Sequence, residues 1–344
     1  MRLYIDKENI ESFISQKNGN AGLFEQCNIM LKKYFDIHMN VTKEEFAQSE
    51  LCMLWGNTLL DGRGENLIFF DGNKNLELIP RPIDLGKFDL NFKREDASAV
   101  YLLNDPNMVT LEDQGKYLVG GVGSELNTLS KLFVGNEDSR YVNELEPLED
   151  YFQDGSWNAL NPYVTPCSEA LLCDAYILSF TDRYEQNIIA FLDRIFSEAL
   201  GSTLKVTIFC LKTFQKVKNG PECDLDFNMI RKHIQNHFID KSLDITFVAL
   251  KRKDELGEHD RTVVTNYMHY IPGATLNFFD NSGKLISDGR YFNVRSLAYR
   301  QYMKLAFRFV EDMQKLINDI ISGKKDGVIN HGSRSIPSHY LTFS

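Results

Sequence analysis

Hydrophobic and polar positions in the first half of the chain follow helical and strand periodicities in turn. The segments "RLYI" and "ASAVYLLND" are apolar runs of the length of strands. Helical spacing occupies residues 8–16, 22–34 and 43–55. "GKYLVGGVGSELNTL" predicts a further strand, a glycine turn and the start of a helix. These segments together predict an N-terminal α/β domain.

The second half shows the same alternation more clearly. "EALLCDAYILSF", "LKVTIFCLKT" and "LDITFVALK" predict strands, and amphipathic helices separate them at residues 182–200 and 224–238. "RTVVTNYMHYI" and "ATLNFFD" predict two neighbouring strands, and a long helix is expected over residues 294–321. Strands that alternate with helices indicate a layered α/β domain.

Irregular acidic sequence separates the two halves at residues 136–166. The predicted domains are therefore 1–155, an N-terminal α/β domain of no recognised family, and 156–322, a C-terminal α/β domain, followed by a flexible tail over residues 323–344.

Composition narrows the class of protein. The chain has 344 residues, of which 43% are hydrophobic, so each half can bury a core. Neither a membrane-spanning apolar run nor a signal sequence is recognisable, which predicts a cytoplasmic protein. The six cysteines show no zinc-ligand spacing and are expected to be structural.

The net charge of −10 is unevenly distributed. Residues 1–150 carry 15 basic and 26 acidic side chains, whereas the remainder carries 23 and 22. Acidic surfaces repel the phosphate backbone of nucleic acids and anionic membranes. If the protein contacts either, the C-terminal half is the expected face.

The stretch "HDRTVVTNYMHYIPGATLN", residues 259–277, carries the most suggestive spacing. His259 and Arg261 are followed after four residues by Asn266, and after Gly273 by Asn277. We expect a strand here to place His259 and Arg261 on the same face, because side chains alternate along a strand. A histidine beside a cation can attack and hold a phosphoryl group.

These gaps resemble the His-x-Lys motif of the phospholipase D superfamily, with arginine in place of lysine, Asn266 in place of aspartate, and Ala274 in place of a second small residue. The order of elements from residue 165 to 320 is similar to one phospholipase-D-like half. It looks most like the C-terminal domain of MIT-domain proteins, in which an Asp-x-Tyr-Ile pattern, here "DAYI", precedes a long helix.

The resemblance implies a phosphodiesterase or nuclease that needs no cofactor. His259 would be the nucleophile, Arg261 the phosphate clamp, and Asn266 and Asn277 orienting or binding residues. The sequence contains no second copy of the motif, so a complete site would require a homodimer. By analogy, such a protein would serve in bacterial antiviral defence.

Two alternatives stay open. The change to Asn266 removes a carboxylate, which favours an inactive module for dimerisation, protein recruitment or peripheral membrane contact. Separately, "YIDKENI" resembles the first strand of NYN/PIN-like ribonucleases. In that case Asp6, Asn9 and Asp105, together with Glu50, would hold Mg²⁺ or Mn²⁺. His259 could also be purely structural, with Asp260 or Asp288 paired to Arg261.

Overall fold

A computed structural model of the chain provides the coordinates. It describes residues 1–60, 67–69, 98–109, 114–136, 139–167, 169–199, 203–215, 222–239, 241–259, 261–286 and 291–331. No helix among these residues is long and apolar enough to cross a membrane.

The first half of the chain forms a parallel sheet of five strands in the order β3-β2-β1-β4-β5. The chain adds β2 and β3 on one side of the central strand β1 and then returns to add β4 and β5 on its other side. In parallel sheets, ligands commonly bind at the carboxyl ends of the strands where the order reverses in this way. The strands are β1 (Arg2–Asp6), β2 (Asp36–Asn40), β3 (Leu67–Phe69), β4 (Val100–Leu102) and β5 (Leu118–Gly120).

Helices connect these strands and bury apolar faces between them. A capping box formed by Thr42 and Glu45 begins α3, and the helix ends before Ser49, so the single helix expected over residues 43–55 is two helices. The rings of Phe13, Phe24 and Trp55 meet in this core. The helices are α1 (Lys7–Ser15), α2 (Ala21–Tyr34), α3 (Lys43–Gln48), α4 (Glu50–Leu60) and α5 (Glu125–Ser130).

A larger mixed sheet of eight strands forms in the second half, in the order β15-β11-β8-β7-β12-β13-β14-β6. β7, β8 and β11 are parallel, and the other pairings are antiparallel. Its strands are β6 (Val142–Leu145), β7 (Glu169–Cys173), β8 (Thr203–Leu211), β11 (Ser242–Leu250), β12 (Thr262–Val264), β13 (Met268–Pro272), β14 (Phe292–Ser296) and β15 (Gly327–His331). A separate antiparallel pair consists of β9 (Thr213–Gln215) and β10 (Glu222–Asp224).

The helices of this half pack by their apolar stripes. Asp226 caps α8 by accepting hydrogen bonds from two backbone N–H groups. In α9 the buried positions recur every three or four residues, from Met303 to Ile317. The helices are α6 (Leu148–Tyr151), α7 (Ala190–Ile195), which continues a π-helix (Glu185–Ile189), α8 (Phe227–His237) and α9 (Arg300–Ile321). Two 3-10 helices span Trp157–Tyr163 and Lys253–His259.

The two sheets are connected through the turn between β12 and β13. The hydroxyl of Tyr267 donates to the carbonyl of Ala99 at 2.6 Å and accepts from the backbone N–H of Leu118 at 2.8 Å. One hydrophobic cluster contains buried residues of both halves. The halves therefore share core contacts as well as a covalent connection.

The predicted α/β class is confirmed, but several further expectations about elements were wrong. Residues 294–296 belong to β14, and the helix begins only at Arg300. Residues 274–280 form no strand apart from an isolated bridge at Phe279. Residues 327–331 of the expected tail pair with β11 as an edge strand, because their backbone completes its open side. The larger sheet also includes β6, which precedes the predicted boundary at residue 155.

Candidate active site at the carboxyl edge of the larger sheet

The parallel strands β7, β8 and β11 end at one edge of the larger sheet. β12 is antiparallel to β7 and begins at the same edge, where the N–H of Arg261 donates to the carbonyl of Cys173 at 2.7 Å. This places residues 259–261 beside the loop that follows β7. In α/β sheets, crevices outside the carboxyl ends of strands are the usual places for ligands.

His259 ends the 3-10 helix that precedes β12, and it forms a pair with a carboxylate. Its Nε2 lies 2.8 Å from Oδ2 of Asp312 on α9, and its ring packs against Phe309 with centroids 5.2 Å apart. The His259 side chain is 15% exposed and that of Asp312 is 44% exposed. If Nε2 donates to the ionised Asp312, Nδ1 carries the lone pair and can act as a base or a nucleophile.

A cavity of about 340 Å³ opens beside this pair. His259 and Asp312 belong to its wall, and Lys315 and Lys325 contribute positive charge. Glu255 and Asp319 also line the cavity, so its wall carries three carboxylates, with Asp312, and two lysines. An imidazole held by a carboxylate next to lysines is suited to proton transfer or attack on a small anionic group.

Arg261 does not share a strand face with His259, so that expectation was wrong. β12 begins only at Thr262, and Arg261 has a φ of 71°, in the left-handed region that non-glycine residues rarely adopt. This conformation breaks the side-chain alternation on which the expectation rested. The guanidinium donates to the carbonyl of Gly273 at 2.9 Å and so ties the two ends of the motif together. The alternative partners Asp260 and Asp288 lie outside the described residues.

Asn277 lies at this same edge, in a buried hydrogen-bond network. Its amide donates to the carbonyl of Tyr176 at 2.8 Å and to the hydroxyl of Thr275 at 3.0 Å. Asp174, which is 1% exposed, accepts from Thr275 and from the N–H of Leu276. These hydrogen bonds hold residues 275–277 against the loop that follows β7.

Asn266 lies at the opposite end of β12, in the turn that leads to β13. Its amide donates to the carbonyl of Lys116 in the N-terminal half at 3.3 Å. The strand between Arg261 and Asn266 advances about 3.3 Å per residue, which separates their backbones by well over 10 Å. His259, Arg261 and Asn277 therefore belong to one edge of the sheet, and Asn266 does not.

Two residues near the site were missed from the sequence. Asp312 lies 53 positions beyond His259, on the polar side of an amphipathic helix, where charged residues are ordinary. His269 follows within the same stretch and is 5% exposed. The alternation of "YMHYI" could have placed His269 on one face of β13, but nothing in that pattern indicates its burial.

The second candidate region surrounds Asp6, at the carboxyl end of β1. Its Oδ1 accepts from the amide of Asn40 at 2.7 Å and its Oδ2 from the N–H of Asn104 at 2.8 Å. Asp105 accepts from the N–H of Asn107 at 3.0 Å and caps a short 3-10 helix. Glu50 is exposed at the start of α4.

Asn9 has a structural partner in the same region. Its amide donates at 3.0 Å to Glu125, a fully buried carboxylate. Glu125 also accepts from Ser12, Gln16 and the backbone of Gly123. In the described part of the chain no three His, Cys, Asp or Glu side chains are arranged to hold a metal ion. The residues proposed as Mg²⁺ or Mn²⁺ ligands therefore do not fit a preformed site there.

Comparisons with protein-family models, curated proteins and solved structures gave no match. The likeness to phospholipase-D-like proteins thus rests on the motif spacing and the order of elements.

Proposed function

We propose that the protein cleaves phosphodiesters, most simply those of nucleic acids, at the carboxyl edge of the larger sheet. The observation on which this proposal rests is the hydrogen bond between His259 Nε2 and Asp312 Oδ2, 2.8 Å apart. The pair lies on the wall of a cavity that Lys315 and Lys325 also line. A carboxylate that accepts Nε2–H fixes the tautomer and stabilises the positive charge that develops on the ring.

In the proposed reaction Nδ1 of His259 attacks phosphorus, and the bond from phosphorus to the leaving oxygen breaks. The leaving oxygen takes a proton from a second, protonated histidine, which a second copy of the chain would supply. Water then hydrolyses the phosphorus–nitrogen bond, which releases the phosphate monoester and restores the imidazole. Lys315 and Lys325 offset the charge of the phosphoryl oxygens. Arg261 acts as a positioning residue, through its hydrogen bond to Gly273.

The order of elements supports this function. β7, β8 and β11 are parallel, with helices between them, and β12 returns antiparallel beside β7. A phospholipase-D-like half is expected to have strands and helices in this order. Because the chain offers one motif, we further propose that two copies associate, so that a second histidine protonates the leaving group. Light scattering on the purified chain tests this, and a monomer at working concentration would oppose it.

The decisive experiment is cleavage of end-labelled single- and double-stranded DNA and RNA in excess EDTA. We expect the wild type to cut, His259→Ala to lose at least about 10³-fold in rate, and Asp312→Asn about 10- to 100-fold. His237→Gln, a half-exposed histidine on α8, is the matched control and should cut normally. An acid-labile phosphate label on the wild type, absent from His259→Ala, would identify the intermediate.

Two outcomes would oppose the proposal. Cleavage that requires Mg²⁺ or Mn²⁺, persists in His259→Ala and disappears in Asp6→Asn would move the activity to the N-terminal half. The absence of cleavage on every substrate would favour an interaction module instead.

A further inference from the structure

A group of buried polar side chains lies between the larger sheet and α9, outside the hydrogen bonds described above. His269 on β13 is directly opposite Arg295 on β14, and Asn293 precedes Arg295 by two residues. Directly opposed residues and residues two apart share one face of a sheet, so all three side chains lie on the same face. The Arg295 guanidinium stacks on Tyr302 of α9, 5.0 Å from the ring centroid.

Several atoms of this group are buried without a hydrogen-bond partner. They are both ring nitrogens of His269, Oδ1 of Asn293 and Nε of Arg295. His269 is 5% exposed and Asn293 is 6% exposed. Buried polar atoms in folded proteins almost always have partners, and leaving one unsatisfied costs about 1–3 kcal/mol. Neighbouring unsatisfied atoms on three adjacent side chains leave hydrogen-bonding capacity that a molecule outside the chain can use.

The charge of the group indicates what that molecule is. Arg295 is half-buried, and no carboxylate among the described residues forms an ion pair with it. Glu144, opposite Asn293 on β6, is exposed and forms no such pair. A half-buried cation without a counter-ion favours an anion beside it. Arginine matches the planar spacing of oxygens in phosphoryl and carboxylate groups.

The state of His269 is compatible with an anion. Burial, Arg295 and His259 together lower the pKa of His269 to about 3. At neutral pH the ring is therefore uncharged, and one of its nitrogens carries a proton that it can donate.

We infer that Arg295 and His269 form an oxyanion subsite between β13, β14 and α9, which binds a phosphoryl group. Arg295 supplies the charge and His269 a neutral N–H donor. That the anion is a phosphoryl group rests on the proposed function. That an anion binds rests on the unsatisfied atoms of His269, Asn293 and Arg295. The phosphate could come from solution or from a nucleic acid, and the chemistry of recognition is the same.

The test is calorimetric titration of the full chain with inorganic phosphate, with sulfate and chloride for comparison. We expect phosphate affinity to fall at least tenfold in Arg295→Gln and several-fold in His269→Gln. Arg252→Gln, which removes an exposed guanidinium paired to Asp254, is the matched control and should bind as the wild type does. A short oligonucleotide that competes with phosphate would identify the nucleic-acid source, and one that does not compete would leave free phosphate as the ligand.

Nuclear magnetic resonance of the histidine rings provides a second measurement that needs no variant. We expect phosphate to shift the ring nitrogen resonances of His269. Unchanged His269 signals, or equal phosphate affinity in Arg295→Gln and wild type, would overturn the subsite. Phosphate binding without cleavage would count against the proposed function alone, whereas cleavage with unaltered binding in Arg295→Gln would count against the subsite alone.

Discussion

Asp6 and His259 occupy similar positions in their sheets, but they differ in how many hydrogen bonds their polar atoms make within the chain. Both follow strands at the carboxyl edge of a sheet, where α/β proteins commonly bind ligands. Both oxygens of Asp6 accept hydrogen bonds from the chain itself, and nearby Glu125 has several donors. His259 has one described partner, Asp312, and lies on the wall of a cavity. Position at a strand end is thus a weak indication of function until unused hydrogen-bonding capacity is examined.

The largest expected effect tests whether the region around Asp6 is structural. Glu125→Ala leaves the donors of Asn9, Ser12 and Gln16 without their buried acceptor, so the free energy of unfolding should fall by about 3 kcal/mol. Denaturant unfolding measures this. The exposed Glu50→Ala is the matched control and should change stability by less than about 0.5 kcal/mol. A loss below about 1 kcal/mol for Glu125→Ala would show that the network contributes little.

The second prediction concerns the effect of pH on stability through the buried His269. His269 titrates near 6.5 in the unfolded chain and at about 3 in the folded protein, so the unfolded state binds more protons between these values. The stability contribution is complete above pH 6.5 and decreases as the pH falls toward 3. From pH 6.5 to 5 the expected loss is about 2 kcal/mol, at about 1.4 kcal/mol per pH unit.

The measurement compares denaturant unfolding at these two pH values for wild type and His269→Gln. The variant should lose about 2 kcal/mol less than the wild type, because its amide does not titrate. His237→Gln, at a half-exposed position, should behave as the wild type does. Identical pH dependence in wild type and His269→Gln would contradict the burial of a neutral ring.

A smaller effect separates Asn266 from the site. Asn266→Ala removes a hydrogen bond to Lys116 of the N-terminal half, so we expect a loss of about 1 kcal/mol in stability. The proposed cleavage should continue at the wild-type rate, because the residue lies at the far end of β12. Both are measured on one preparation. Loss of cleavage in a variant that retains its stability would show that Asn266 contributes to the active site.

The smallest effect is expected at the surface between the halves. Lys131 and Glu198 form an ion pair at 2.8 Å, with both side chains more than a third exposed. Exposed pairs contribute about 0–1 kcal/mol, so Lys131→Ala should lower the free energy of unfolding by about 0.5 kcal/mol. The loss should shrink in 1 M salt, which screens exposed charges. A loss above about 2 kcal/mol would contradict this.

The sequence was sufficient for elements whose periodicity is strong and local. β7, β8, β11 and α8 lie where their apolar patterns predicted them. β14 was mistaken for the start of α9, because "FNVRSLAYRQYM" continues without a glycine or proline to mark the change. Which strands pair was harder to predict from the sequence. The pairing of β15 with β11, for example, depends on an open strand edge that is far away in sequence.

The candidate site was predictable only in part, for a similar reason. The motif spacing selected His259 and Arg261 as neighbours on one strand face, but the left-handed backbone of Arg261, which residue type does not encode, breaks that alternation. Asp312 became a partner of His259 only through the docking of α9. Contacts across such distances follow from tertiary packing rather than from local pattern.

The hydroxyl of Tyr267 has a consequence for anyone who divides this protein. Its hydrogen bonds to the backbone of Ala99 and Leu118 connect β4 and β5 of the smaller sheet at their amino ends. A fragment ending near residue 140 would lose these hydrogen bonds and would expose apolar side chains of the hydrophobic cluster that the two halves share. Expression of either half alone should therefore yield an aggregation-prone polypeptide. Exchanging one half for that of another protein would succeed only if the tyrosine and its two backbone partners were transferred as a matched set.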